Sequence, residues 1–180
     1  MNWNELTQQI IQAARSSFSD LMLTHKDDDF YAFILYTDDD CYTILPSANS
    51  IQKLNEKILK RGIDNPKRIA GYKWYIGEWA YEAWREDEFS QICDVLSEAS
   101  EAASSDGTFS TFKEKTHQSM IDALRALDQE GFFGAIRKNI AIFISSSDYD
   151  ESIAIENNSA KLLNSSDLYE KFVNRYDGAL

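Results

Sequence analysis

The residues of this chain that could do chemistry are two histidines, two cysteines and two short runs of acids. An imidazole base would have to be His25 or His117. His25 falls in a polar loop beside Lys26 and Asp27-Asp28-Asp29, and His117 follows the apolar stripe of a helical pattern by one position. Neither sits in a G-x-S-x-G elbow or an H-E-x-x-H pair, so both read as surface or internally satisfied histidines. The acids cluster as Asp38-Asp39-Asp40 and as Asp148, Asp150 and Glu151. Closely spaced carboxylates can hold Mg²⁺ or Ca²⁺ through oxygen, or divide acid and base roles between them. A hydrolase using Asp38, Asp148 and Asp150 is therefore the alternative to weigh. Neither cluster has the sharp-turn glycine and distal Glu of a calcium loop, and acids are well solvated where strands end. The seven glycines form no phosphate cradle. No catalytic set is assigned, and no cofactor is implied.

The most unusual segment is Trp74-Tyr75-Ile76-Gly77-Glu78-Trp79-Ala80-Tyr81-Glu82-Ala83-Trp84, with three Trp and two Tyr in eleven residues. Large rings bury much area at low entropic cost, which is why Trp and Tyr anchor interfaces. Rimmed by Glu78, Glu82, Glu86 and Asp87, the segment could receive a basic protein partner. Glu78, Trp79, Tyr81 and Glu82 are the partner-binding residues this reading selects. The competing reading packs the same rings beneath neighbouring helices as core.

With 180 residues, 43% of them hydrophobic, the chain is long enough to bury the core of one domain spanning 1–180. Thirty acids against 18 bases give a net charge of −12. That surface repels phosphate backbones and attracts basic partners, so nucleic-acid binding is not expected. The one basic stretch, Lys57, Lys60, Arg61, Lys67 and Arg68, reads as a solvated helix end and turn. Cys41 and Cys93 are too few to frame a disulfide scaffold, and Cys93 falls on an apolar helical stripe. Neither a basic, apolar leader nor a span of about 20 apolar residues is visible, and a cytoplasmic protein without membrane contact is expected.

The elements that must position these residues follow from periodicity. Trp3, Leu6, Ile10, Ala14 and Phe18 share one face of a first helix, with Asn2 and Glu5 as a capping box. Phe30 to Tyr36 is continuously apolar, as a strand buried on both faces is. An Asp-rich turn and Cys41–Leu45 complete a hairpin that Pro46 should end. Asn49 or Ser50 caps a helix closed by Gly62. Alternation of Tyr72, Trp74 and Ile76 predicts a strand over 68–76, and helical spacing predicts helices over 86–103 and 110–130. Asn139 to Ser145, apolar throughout from Ile140 to Ile144, is a further buried strand, placed centrally with the first, followed by irregular chain and a last helix from Ser166. Strands and helices do not alternate strictly, so the expected class is α+β: a mostly antiparallel sheet of about four strands covered by helices, in one domain.

Several short features then occur in a characteristic order: Phe30-Tyr31-Ala32-Phe33 with Tyr36-Thr37-Asp38, Pro46-Ser47-Ala48-Asn49, Trp74, Glu78-Trp79-Ala80-Tyr81-Glu82, and Ala123-Leu124 through Gly131-Phe132-Phe133-Gly134. In these the chain resembles the uncharacterised bacterial family named domain of unknown function 4303. The resemblance implies a compact α+β domain and carries over no catalytic or binding residue. By analogy with other small acidic bacterial proteins, it suggests an immunity protein that neutralises a toxin. Stoichiometric protein binding is thus the leading expectation; the hydrolase and a self-associating regulatory module are the alternatives. The sequence leaves the oligomeric state open.

Overall fold

A computed structural model describes residues 1–177. Helix α1 (Trp3–Thr24) is followed by strands β1 (Phe30–Thr37) and β2 (Ile44–Ser50), then by helices α2 (Ile51–Arg61) and α3 (Pro66–Trp74). Two 3-10 turns, Ile76–Glu78 and Glu86–Phe89, lead into α4 (Ser90–Ser105), and α5 (Phe109–Gln129) follows. A third 3-10 turn, Gly134–Asn139, precedes β3 (Ala141–Ser146), and α6 (Tyr149–Leu163) and α7 (Ser166–Val173) close the described chain. No helix among the described residues is long and apolar enough to cross a membrane.

The sheet has three strands in the order β2-β1-β3. β1 runs antiparallel to β2 and parallel to β3, with Ile34 opposite both Ser47 and Phe143. The fold is therefore mixed α+β, and the expectation of four mostly antiparallel strands needs correcting at three places. Residues 68–76 form no strand: Asn65 Oδ1 caps the Arg68 N–H, Pro66 occupies the first turn, and α3 results. The alternation of Tyr72, Trp74 and Ile76 is coincidental beside those start signals. β3 lies at an edge rather than in the centre. Pro46 does not end β2 but lies within it, opposite Leu35; an edge strand tolerates the missing N–H.

β1 and β3 read as unbroken apolar runs because helices cover both faces of the sheet. Phe33, Leu35, Ile142 and Ile144 face α1, α4 and α5 in one core, where Phe18 meets Phe33 edge-on at 5.1 Å between ring centroids. Tyr31, Ile34, Ala141 and Phe143 face α2, α3 and α7 in a second core with Leu54, Trp79 and Phe172. The result is three layers with helices outside and the sheet between.

Helix α6 was not expected, and its inward face shows why. Where an amphipathic helix would carry Leu or Ile it carries Glu156 and Ser159, and these, with the C-cap residue Asn164, close the outer edge of β3. Ile142 donates its N–H to Asn164 Oδ1 at 3.0 Å and accepts from Asn164 Nδ2 at 2.7 Å. The Ile144 N–H reaches Ser159 Oγ at 3.0 Å, and Arg137 donates to the Ile140 carbonyl at 3.1 Å. Buried Glu156 accepts from Ser145 Oγ and from Arg175 Nη2, each at 2.7 Å. Burial pushes its carboxyl above the usual range, with Ser145 and Arg175 pulling the other way.

Asn164→Ala would leave both polar groups of Ile142 unpaired, at an expected cost of about 2–3 kcal/mol in denaturant unfolding. Asn158→Ala, exposed on the same helix, should change stability by less than about 0.5 kcal/mol. Equal effects of the two substitutions would show that Asn164 does not hold the edge.

Candidate functional site

The aromatic segment turns inward. Trp79 is 4% exposed and Tyr81 3%, and they enter different cores. Trp79 stacks edge-on against Tyr31 and Phe143 at 6.1 and 6.4 Å, and its Nε1 donates to the Lys73 carbonyl at 2.9 Å. Tyr81 packs on Phe30, Trp84 and His25, and its hydroxyl donates to Asp28 Oδ2 at 2.5 Å. Burial and the Asp28 charge raise that hydroxyl far above the usual tyrosine range. Between the two rings the backbone runs along the free edge of β2. Ala48 donates to the Tyr81 carbonyl at 3.2 Å, and Ala83 to Ser47 Oγ at 3.0 Å. Left-handed backbone at Ala83 and Arg85 lets the chain leave that edge and start the next turn.

Of the four residues selected from the sequence, Trp79 and Tyr81 therefore offer no exposed rings. Glu78 is half-buried and neutralised by Lys57 at 2.8 Å and Arg61 at 3.8 Å, which also accounts for part of the basic stretch. Glu82 is exposed, and Tyr36 donates to it at 3.4 Å. Burial, with the charges of Glu82 and Glu86, pushes the Tyr36 hydroxyl up to about 12.

The parallel pairing of β1 and β3 does bring the two acid clusters to one end of the sheet, but Lys113 of α5 stands among them. Its Nζ lies 2.7 Å from Glu151, 3.3 Å from Asp39 and 3.8 Å from Asp148. Two of the carboxylates also have structural roles. Asp38 accepts from the Tyr42 and Thr43 N–H groups and from Thr43 Oγ1, at 3.0, 2.7 and 2.6 Å, and so builds the turn after β1. Asp148 caps α6 through the Asp150 N–H, and Asp150 is exposed. Among the described residues no group of three or more His, Cys, Asp or Glu gathers as metal ligands. The ammonium already supplies the positive charge that a metal would bring.

His25 is the C-terminal cap of α1, packed on Tyr81 and Trp84. His117 Nε2 is buried without a hydrogen-bond partner among the described residues, and burial, aided by Lys113, pushes its pKa down to about 4. Burial likewise raises both thiols, Cys41 to about 11. Low-pKa thiolates suited to nucleophilic attack are not formed here.

The exposed acids have a different distribution from the one read around Trp79. From Glu86 to Phe112 the chain has seven acids (Glu86, Asp87, Glu88, Asp94, Glu98, Glu101 and Asp106) and no Lys or Arg. Of these only Glu88 has an ion-pair partner among the described residues, Arg85 at 2.5 Å. α4 turns Ile92, Leu96 and Ser100 inward and leaves Asp94, Glu98 and Glu101 exposed, so the helix carries an acidic ridge. At its amino end a groove of about 600 Å³ separates α4 from α1, lined by Glu5, Asp87 and Glu88 with Gln8, Gln9, Gln12 and Gln91. Carboxylates and amide oxygens there can accept from lysine or arginine side chains; of the three acids only Glu88 is already paired, with Arg85. Composition showed the net charge, but only the helix boundaries showed that its acids collect on one face.

Residues 10–165 match the family described as a domain of unknown function, DUF4303. The chain belongs to this family. The match covers the whole sheet, α2 to α6, the aromatic segment and the acidic ridge, and stops just before α7. No curated protein and no solved structure matches the chain.

His117 gives the site's surroundings a pH signature. Its folded pKa lies below the ordinary 6.5, so the unfolded chain takes up the proton first and stability falls as pH drops from about 6.5 to about 4. His117→Gln should flatten that decline when urea midpoints at pH 7 and pH 4.5 are compared. An undiminished decline would show that His117 is not buried neutral.

Proposed function

We propose that the protein works by stoichiometric binding of a basic protein partner, most concretely as an immunity protein that occludes a toxin. The observation that carries this reading is the acidic ridge of α4 with its adjoining groove, largely free of internal ion pairs. Within a folded domain, acids that serve only stability tend to be interleaved with bases; these are not. A basic surface approaching the ridge is steered by the summed field, and complementary charge raises the association rate more than it slows dissociation. A nuclease cleft is a fitting target, since carboxylates can occupy positions that phosphates would take. The groove beside α1 supplies the specificity that a bare charge field lacks, because its glutamines fix where a lysine or arginine must point.

Cytoplasmic residence suits this role and is part of the proposal. The hydrolase alternative fits less well, because Asp38 and Asp148 are engaged in turn and cap, with Lys113 between the clusters.

The test starts from the tagged full chain isolated from its host with a partner in one-to-one ratio. Association is then followed by surface plasmon resonance for the wild type and for Glu86→Gln/Asp94→Asn/Glu98→Gln/Glu101→Gln. The quadruple variant should associate at least tenfold more slowly at low salt and lose most of its salt dependence, with a similar dissociation rate. Unchanged association kinetics would remove α4 from the interface.

A further inference from the structure

The other side of the sheet carries a cavity of opposite character. About 550 Å³ lies between α3 and α7, at the amino ends of β1 and β3. Its walls are mostly apolar and aromatic, with Tyr31, Ile69, Trp74, Leu168 and Phe172 among them. Trp74 and Phe172 meet at 89° and Tyr31 and Trp74 at 76°, so the rings brace one another and give the cavity a fixed shape. The Lys73 carbonyl adds to this rigidity, because Tyr31 Oη and Trp79 Nε1 both donate to it, at 2.6 and 2.9 Å.

The charged groups that line this cavity are cationic, with Asn139 and Asn174 as neutral polar neighbours. In a chain with 30 acids, Lys73 is half-buried with no carboxylate within ion-pair distance among the described residues. Its Nζ lies over the rings of Tyr31 and Trp74, at 5.2 and 5.4 Å from their centroids. Lys171 stands at the rim, also unpaired among the described residues. Arg175 also lines it; Glu156 and Asn157 hold its terminal nitrogens, and its buried Nε has no hydrogen-bond partner among the described residues. Among the described residues no Asp or Glu lines the cavity. An amine held against ring faces in a largely dry wall is poorly solvated, and its burial lowers its pKa. An anion arriving beside it would satisfy that charge where the protein does not.

We propose that this cavity binds a small, flat molecule with an apolar ring system and a single anionic group, the rings lodged against Trp74 and Phe172 and the anion on Lys73. The volume suits such a ligand, and one well-placed charge in an apolar pocket sets orientation as well as class. The site lies across the sheet from the acidic ridge, so it is a second binding function and does not rest on the partner reading. Its α7 wall falls outside the stretch matched by the family.

The test uses the full chain and 1-anilinonaphthalene-8-sulfonate, an aromatic monoanion, followed by fluorescence titration, with neutral N-phenyl-1-naphthylamine as the comparison. Wild type should bind one sulfonate probe saturably. Lys73→Met, which keeps an apolar stem and removes the charge, should weaken that probe at least tenfold while changing the neutral one less than twofold. Ala70→Trp, which fills the cavity, should abolish both, with circular dichroism reporting whether the variant folds. If it does not fold, Lys73→Met decides alone. Absence of saturable binding, or equal binding of the sulfonate by wild type and Lys73→Met, overturns the proposal.

Discussion

The structure depends on closing the two edges of a very small sheet. Three strands buried on both faces have only two outer edges, and each would present unpaired N–H and C=O groups within the protein. Neither edge is closed by another strand. On the β3 side the closure comes from Asn164, Ser159 and Arg137, which take the backbone groups of Ile140, Ile142 and Ile144 one by one. On the β2 side the irregular segment around Tyr81 does the same work, through Ala48 and Ser47. The positions of α6 and of the aromatic segment follow from that requirement, as does the burial of Glu156 with Arg175.

This requirement separates residues that hold the fold from residues free to act. Trp79 and Tyr81 belong to the first group: one ring in each core, they strap the β2 edge and join the layers on either side of the sheet. Asp38 and Asp148 belong there too, as turn and cap. The residues left over are the exposed acids of α4 on one side and the unpaired lysines of the α3–α7 cavity on the other. Their opposite signs are kept apart by the sheet and by the basic side chains that neutralise Glu78.

Much of the fold was legible because it rests on local rules. Asn2 and Ser50 cap their helices as their types suggest, Gly62 closes α2 with φ of 60°, and the apolar runs at Phe30 and Ile140 lie in buried strands. Two elements were misread, for different reasons. At α3 a chance alternation outweighed the Asn65-Pro66 start. At α6 the polar residues on the inward face erased the hydrophobic period, and the need they meet, a sheet edge, is not visible in the segment itself. The candidate site was legible in its sign but not in its place. Composition gives the excess of acids, whereas their collection on α4 depends on which of its residues the core claims. Burial of Trp79 and Tyr81 could be named as an alternative, but not chosen, since aromatic residues serve cores and interfaces alike.

The parallel pairing of β1 with β3 has a bearing on how the chain comes together. β1 and β2 can form as soon as their hairpin is made, yet the other side of β1 stays open until Phe143 reaches Ile34, with α2 to α5 made in between. β3 in turn has an open flank until Ser159 and Asn164 arrive. During synthesis on the ribosome, then, an apolar strand with one bare side waits until α2 to α5 and β3 have emerged. Long-range closure of this kind is slow compared with helix formation, and it leaves the nascent chain most open to chaperones and to misassociation just before its last helices appear.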